Sequence, residues 1–162
     1  MRPRLIIWCL LLLMGCSQEI PRNLEGRYRI PKHSYEQLSQ ENWVWLGQQL
    51  VGVDSVILYD FFRFSANGRV FHSTGIPEDS LAFRYNDFSK GSLGRFELTD
   101  QSLRMEIWRG RYDKFVHYQG HFQGDSLIIT SSRQRGFFKA RQKNFQLIYS
   151  KSEISDLQPI PE

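Results

Sequence analysis

The sequence predicts a mainly β protein, an antiparallel up-and-down barrel of about 8–10 strands with one helix inserted near residues 34–50. Two observations favour this fold class. Aromatic residues make up 14% of the chain, and such residues are enriched in strands. Short segments of alternating apolar and polar residues also recur along residues 26–150, and most are joined by tight-turn sequences. Evenly spaced antiparallel strands in a chain of this length are typical of a meandering barrel or a sandwich.

The first residues have the pattern of a bacterial secretory signal peptide. Arg2 and Arg4 precede an apolar run, Leu5–Met14, that leads directly into Gly15-Cys16. A helix that spans a bilayer needs about 20 apolar residues, so this run is too short to stay in the membrane as an anchor. We therefore expect residues 1–15 to be a signal peptide that is removed.

The end of this run, Leu13-Met14-Gly15-Cys16, resembles the lipobox of bacterial lipoproteins. The resemblance implies a diacylglyceryl group on the Cys16 thiol, cleavage before that residue and acylation of the new amino group. Several acyl chains attach a protein stably to a membrane, whereas one chain binds only marginally. Because Ser17 and not aspartate follows the cysteine, the resemblance also implies the outer membrane of a Gram-negative bacterium. The leaflet, and the side of the membrane that the domain faces, stay open.

The remaining chain, Cys16–Glu162, has the length of one domain. Loss of Arg2 and Arg4 leaves 19 of the 21 basic residues against 17 acidic residues, a formal charge of +2 that gives no reason to expect nucleic-acid binding. Cys9 lies in the signal peptide, so the domain holds no disulfide and depends on a packed core. The predicted divisions are a signal peptide (1–15), a lipidated cysteine with its tether (16–24), a barrel domain (25–150) and a flexible tail (151–162).

Alternation and turn signals place the strands. Asn67-Gly68 between two alternating runs is a strong hairpin signal, since both residues tolerate positive φ. In a second hairpin Leu103, Met105 and Ile107 fall on one face, and we expect them to point inward. Gly120 interrupts a later strand and predicts a bulge. The predicted strands are 26–30, 55–64, 69–74, 81–85, 93–98, 103–108, 114–123, 126–131, 135–140 and 144–150.

One segment departs from alternation. Ser34, with Gln37 three residues later, has a capping-box pattern at the start of residues 34–50. The apolar side chains of this segment form a broad helical stripe of Tyr35, Leu38, Trp43, Trp45, Leu46 and Leu50. We expect a helix across an open end of the barrel, where its tryptophans either plug the interior or form a lid over a ligand.

Four segments resemble the lipocalin-like and calycin-like lipoproteins of Gram-negative bacteria, Bacteroidetes in particular. They are LEGRYRI (24–30), FRFSANGRV (62–70), GRFELTDQSLRMEI (94–107) and YQGHFQGDSLIIT (118–130). The likeness covers most of residues 24–150, and it implies an up-and-down barrel with an apolar cavity. Fold alone assigns no ligand.

Few residues point to chemistry. His117 and His121 share a strand but lie about 13 Å apart, too far for one zinc ion, so we expect neither a metal nor a cofactor. Asp60 lies inside an aromatic strand, where a buried carboxylate needs a partner, and it either orients a ligand or is structural. The chain has no local nucleophile, metalloprotease or phosphate-loop motif, so we do not expect an enzyme, although catalytic residues need not be adjacent in sequence.

A cationic run near the C-terminus predicts a charged face. Its members all stand at odd positions, namely Arg133, Arg135, Lys139, Arg141 and Lys143. If both strands keep register, these side chains share one face. Such a face near a membrane contacts either anionic head groups or an acidic partner, or it is a solvated outer face whose charges protect a sheet edge.

Together these features favour a membrane-anchored, non-enzymatic barrel that binds a small apolar or amphipathic ligand, lipid being one candidate. The candidate ligand contacts are Trp43, Trp45, Leu46 and Asp60. The alternative is a cell-envelope protein with a solid barrel that docks another protein. A ligand binder needs an apolar space on the order of a few hundred Å³, whereas a scaffold can be packed solid.

Overall fold

Eight antiparallel strands close into a barrel, in which each strand pairs with its neighbours in sequence and the last pairs with the first. The computed structural model describes residues 27–32, 35, 43–51, 56–110, 113–135 and 140–161, without the side chains at 51, 135, 140 and 141. The strands are β1 (Trp43–Val51), β2 (Val56–Phe64), β3 (Arg69–Ile76), β4 (Ser92–Thr99), β5 (Ser102–Arg109), β6 (Lys114–Gln123), β7 (Ser126–Arg135) and β8 (Ala140–Glu153). The predicted up-and-down barrel is confirmed.

The segment between β3 and β4 carries the helical structure. It contains a 3₁₀ turn at Glu78–Ser80, the single-turn helix α1 at Leu81–Arg84 and a second 3₁₀ turn at Phe88–Lys90. None of the helices in the described ranges is long and apolar enough to cross a bilayer. The predicted signal peptide, Cys16 and tether lie outside the described residues and stay predictions.

The helix predicted near residues 34–50 is wrong for its second half. Residues 43–51 form β1, which pairs with β2 from Trp45 opposite Phe62 to Val51 opposite Val56. Trp45 packs inside the barrel, whereas Val44 and Leu46 pack in a second apolar layer on its outer surface. A strand that is buried on both faces has apolar residues in succession, and over a few turns such a run resembles a helical stripe. Of residues 34–42 only Tyr35 is described.

Three predicted strands also differ from the structure. Residues 27–30 form no strand, and residues 81–85, predicted as a weak strand, contain α1. The two strands predicted over 135–150 correspond to the end of β7 and to one long strand, β8, with residues 136–139 outside the described part.

The hairpin predictions are confirmed. β2 and β3 are joined through the Asn67-Gly68 turn, and Leu103, Met105 and Ile107 point into the interior. The bulge predicted at Gly120 appears as a register shift in the pairing of β6 with β7. A β-carbon at Gly120 would collide with the carbonyl oxygen of Ile128, so the close approach of the two backbones requires glycine.

Apolar side chains pack in two layers separated by the sheet. The inner layer fills much of the barrel with aromatic rings, for example Trp45 against Phe122 and Phe64 against Phe96, with ring centroids 4.9 and 5.0 Å apart. The outer layer covers β1–β4 and includes Val44, Tyr59, Phe61, Phe71, Ile76, Tyr85 and Leu93. Burial on both faces explains why β2 reads as a nearly continuous apolar run.

The C-terminal segment, residues 154–160, belongs to this outer layer. The sequence predicts a flexible tail from residue 151, but β8 continues to Glu153, and Ile154, Leu157 and Ile160 then pack against the outer layer. The buried guanidinium of Arg63 donates to the carbonyl oxygen of Gln158. These contacts fold the segment back onto the barrel.

Candidate functional site

A group of polar side chains lies on the inner face of the barrel, where β2 begins and β5 ends. Strand alternation places Asp60 on the same face as Phe62, whose ring belongs to the inner layer. The members of this inner polar cluster are Asp60, His72, Arg109, Tyr118 and Tyr149. They come from β2, β3, β5, β6 and β8, so the closed barrel brings together residues that are distant in sequence.

Arg109 is the centre of this cluster. Its Nη2 donates to Nδ1 of His72 over 2.8 Å and to the hydroxyl oxygen of Tyr118 over 3.1 Å, and its Nη1 donates to Oγ of Ser92 over 3.5 Å. The side chain is half-buried. Among the described residues, no carboxylate lies within 4.0 Å of its guanidinium. The hydrogen-bond partners that orient Arg109 are therefore neutral groups, while its charge also acts on Asp60 in the same cluster.

His72 is a neutral partner of this arginine. Burial lowers the pKa of His72 well below its usual value, and the charge of Arg109 acts in the same direction. Because a guanidinium only donates hydrogen bonds, Nδ1 of His72 accepts and the proton of the neutral ring sits on Nε2. The ring also stacks on Phe62 with centroids 4.1 Å apart, which holds it at the edge of the aromatic layer.

Asp60 supplies the negative charge of the cluster. It is 5% exposed and accepts hydrogen bonds from Nε2 of Gln49 over 2.5 Å and from the backbone N–H of Gly75 over 3.0 Å. Burial raises the pKa of Asp60, and the Gly75 N–H, the charge of Arg109 and the Gln49 amide oppose that rise. Burial also raises the pKa of Tyr149, and the charge of Asp60 adds to the effect, so the phenol stays protonated. Gly75 has a φ of +68°, which aims its N–H at the carboxylate without strain.

The structure separates the ligand contacts predicted from the sequence. Trp45 and Asp60 face the interior at different levels, since Trp45 lies opposite Phe62 and Asp60 lies opposite Gly47. Leu46 points to the outer layer. Trp43 is half-buried, and the ammonium of Lys151 lies 2.8 Å from the centroid of its ring. Both tryptophans lie on a strand, so they form neither the helical plug nor the helical lid that the sequence left open, and Trp45 is part of the core.

The predicted cationic face is also wrong for the residues that can be placed. Residues paired across a sheet share a face. Arg133 pairs with His117 and with Gln142. Lys143 pairs with Ser132, which in turn pairs with Tyr118. Tyr118 packs inside, so Arg133 lies on the outer face and Lys143 on the inner side of the sheet. Odd positions of β7 thus align with even positions of β8. The side chains of Arg135, Lys139 and Arg141 lie outside the described part.

Sequence reasoning missed most of the inner polar cluster. Asp60 was detectable as a carboxylate inside an aromatic strand, whereas Arg109 follows Trp108 at a strand end and carries no local signal. Within the described ranges, no three His, Cys, Asp or Glu residues are arranged to hold a metal ion. No known protein-family model, curated protein or solved structure matches this chain, so the fold and the cluster are interpreted from the chain itself.

Proposed function

We propose that this protein is a membrane-anchored binding protein, not an enzyme, whose barrel holds a small amphipathic anion beside the inner polar cluster. The observation that carries the proposal is the half-buried Arg109, which is oriented by three hydrogen bonds at the edge of an aromatic layer. A guanidinium held in this way suits a carboxylate or a similar anionic group. The apolar part of the ligand would lie against rings such as Phe62 and Tyr118, whose centroids are 6.1 Å apart.

The test is a titration with a fluorescent fatty acid and with its neutral methyl ester. We expect Arg109→Gln to weaken binding of the acid at least about tenfold, because a hydrogen bond to a charged group contributes about 1.5–3 kcal/mol. Binding of the ester should change little. Arg104→Gln is the matched control, since Arg104 lies on the same strand but faces outward with 65% of its side chain exposed. Equal losses in both variants would place the acid outside the barrel and contradict the proposal.

The second candidate function is a solid barrel that docks another protein. The aromatic packing of the inner layer favours it, because rings from Trp45, Phe62, Phe64 and Tyr149 occupy the interior with centroid separations of about 5–6 Å. This function predicts no saturable response of the wild-type protein to either probe. The same titration therefore separates the two candidates.

Attachment to a membrane through Cys16 completes the proposal and rests on the lipobox likeness. We expect Cys16→Ala to abolish incorporation of labelled palmitate and to release the protein from the membrane fraction. Cys9→Ala is the control, because it removes a thiol from the predicted signal peptide without touching the modified position. Unchanged labelling of the Cys16→Ala protein would show that the residue is not the lipid attachment site.

A further inference from the structure

The outer face of the barrel carries a groove whose lining shares only Tyr118 with the inner polar cluster. It has a volume of about 300 Å³ and lies between the segment 27–30 and strands β5–β8. Two rows of paired residues cross this face, Glu106–His117–Arg133–Gln142 and Arg104–Gln119–Ser131–Asn144, and all of them except Glu106 and Asn144 line the groove. Because paired residues share a face, these side chains all project away from the barrel interior.

Glu106 fixes one wall of this outer groove. The residue is 1% exposed, and its Oε2 accepts hydrogen bonds from the backbone N–H groups of Arg29 over 2.7 Å and of Ile30 over 3.1 Å. Nη1 of Arg95 donates to the carbonyl oxygen of Ile30 over 3.3 Å. Oε1 of Glu106 lies 3.7 Å from Nδ1 of His117, so the carboxylate faces both the backbone of the segment and the His117 ring. Its hydrogen bonds to the segment position Arg29 at the rim.

The rim of the outer groove is positively charged. Arg104 pairs with Glu97 over 3.0 Å, whereas the guanidinium groups of Arg29 and Arg133 have no carboxylate partner among the described residues. Burial lowers the pKa of His117, Glu106 opposes that change, and the charges of Arg29, Arg133 and Arg104 lower it further. All three arginines line the same groove as His117.

The base of the outer groove adds a neutral hydrogen-bond donor. Oγ of Ser131 donates to Oε1 of Gln119 over 3.1 Å, which leaves the amide nitrogen of Gln119 free to donate to a ligand. Two guanidinium groups and an amide provide donors from several directions. That arrangement suits an anion with several oxygens, and phosphate has three such oxygens and a charge of about −1.5 to −2 at neutral pH.

We propose that the outer groove binds a small phosphomonoester, with Arg29 and Arg133 on the phosphoryl oxygens and Gln119 as a further donor. The volume exceeds what a bare phosphate group needs, which leaves room for the substituent of the ester. The ligand contacts proposed for this groove include no member of the inner polar cluster, and they do not require the lipid anchor. The phosphomonoester is either a soluble metabolite or the head group of a lipid.

The experiment is an NMR titration of the purified protein with glycerol 3-phosphate, together with sedimentation on phosphatidylcholine vesicles with and without phosphatidic acid. We expect saturable shifts of the His117 ring signals and a rise in the pKa of His117 at saturation, because the anion offsets the nearby guanidinium charges. Arg133→Gln should weaken binding at least tenfold. Lys143→Gln removes the same charge one register position away on the other side of the sheet and should change the affinity less than twofold.

The two probes distinguish the sources of the ligand. Binding of glycerol 3-phosphate indicates a soluble phosphomonoester, and binding only to vesicles with phosphatidic acid indicates a lipid head group. Either result supports the site if Arg133→Gln weakens the binding at least tenfold. Equal effects of Arg133→Gln and Lys143→Gln would show unspecific attraction and overturn the proposal. Absence of saturable binding to either probe at millimolar concentration would overturn it as well.

Discussion

Replacing Glu106 with glutamine is expected to lower the free energy of unfolding by about 3 kcal/mol. The buried carboxylate accepts backbone hydrogen bonds from Arg29 and Ile30, and each hydrogen bond to a charged group contributes about 1.5–3 kcal/mol. Both N–H groups donate to the same oxygen, Oε2, and the amide oxygen of a glutamine could accept both, but it carries no charge and would accept them more weakly. Urea denaturation measures the loss. Hydrogen exchange should also show that the amides of residues 29 and 30 lose protection.

Glu97→Gln is the matched control for this prediction. It makes the same chemical change on the neighbouring strand, but Glu97 pairs with an arginine whose side chain is 65% exposed. Exposed ion pairs contribute about 0–1 kcal/mol, so the control should stay within that range. Equal losses in the two variants, or intact protection of residues 29 and 30 in Glu106→Gln, would show that Glu106 does not hold the segment.

The parts of the fold that were predictable are those fixed by local rules. Asn67-Gly68 specified a hairpin, and the alternation of Leu103, Met105 and Ile107 specified an inward face, because both signals act over a few residues. The helical stripe predicted over β1 included both Trp45 and Leu46, which the structure places in opposite apolar layers. The outer layer that buries Val44 includes residues up to Ile160, and no local pattern reveals it.

The candidate site was less predictable than the fold. Arg109, His72 and Tyr118 meet only because β3, β5 and β6 are held in a particular register around the barrel. The cationic face failed for a related reason. Arg133 pairs with Gln142, so odd positions of β7 lie beside even positions of β8. A shift of the pairing register by one residue moves every side chain of a strand to the opposite face of the sheet.

Ile160→Ala is expected to destabilise the protein by about 2–4 kcal/mol, although the polar, proline-containing sequence around it predicts a flexible segment. Ile160 is 6% exposed in the outer layer, so truncation leaves a cavity there and weakens the docking of the C-terminal segment. The segment also supplies the Gln158 carbonyl oxygen to the buried guanidinium of Arg63. Thermal and urea unfolding measure the effect.

Ile148→Ala provides the control, since it deletes the same atoms from a β8 residue that is 56% exposed and should change stability by less than about 0.5 kcal/mol. A large difference between the two variants would show that the C-terminal segment is part of the folded domain. It would also explain how β1 and β2 can be apolar on both faces, because the outer face then has a permanent cover. Equally small effects would mean that the segment frays in solution, and the outer layer around Val44 and Phe61 would then be exposed whenever it does.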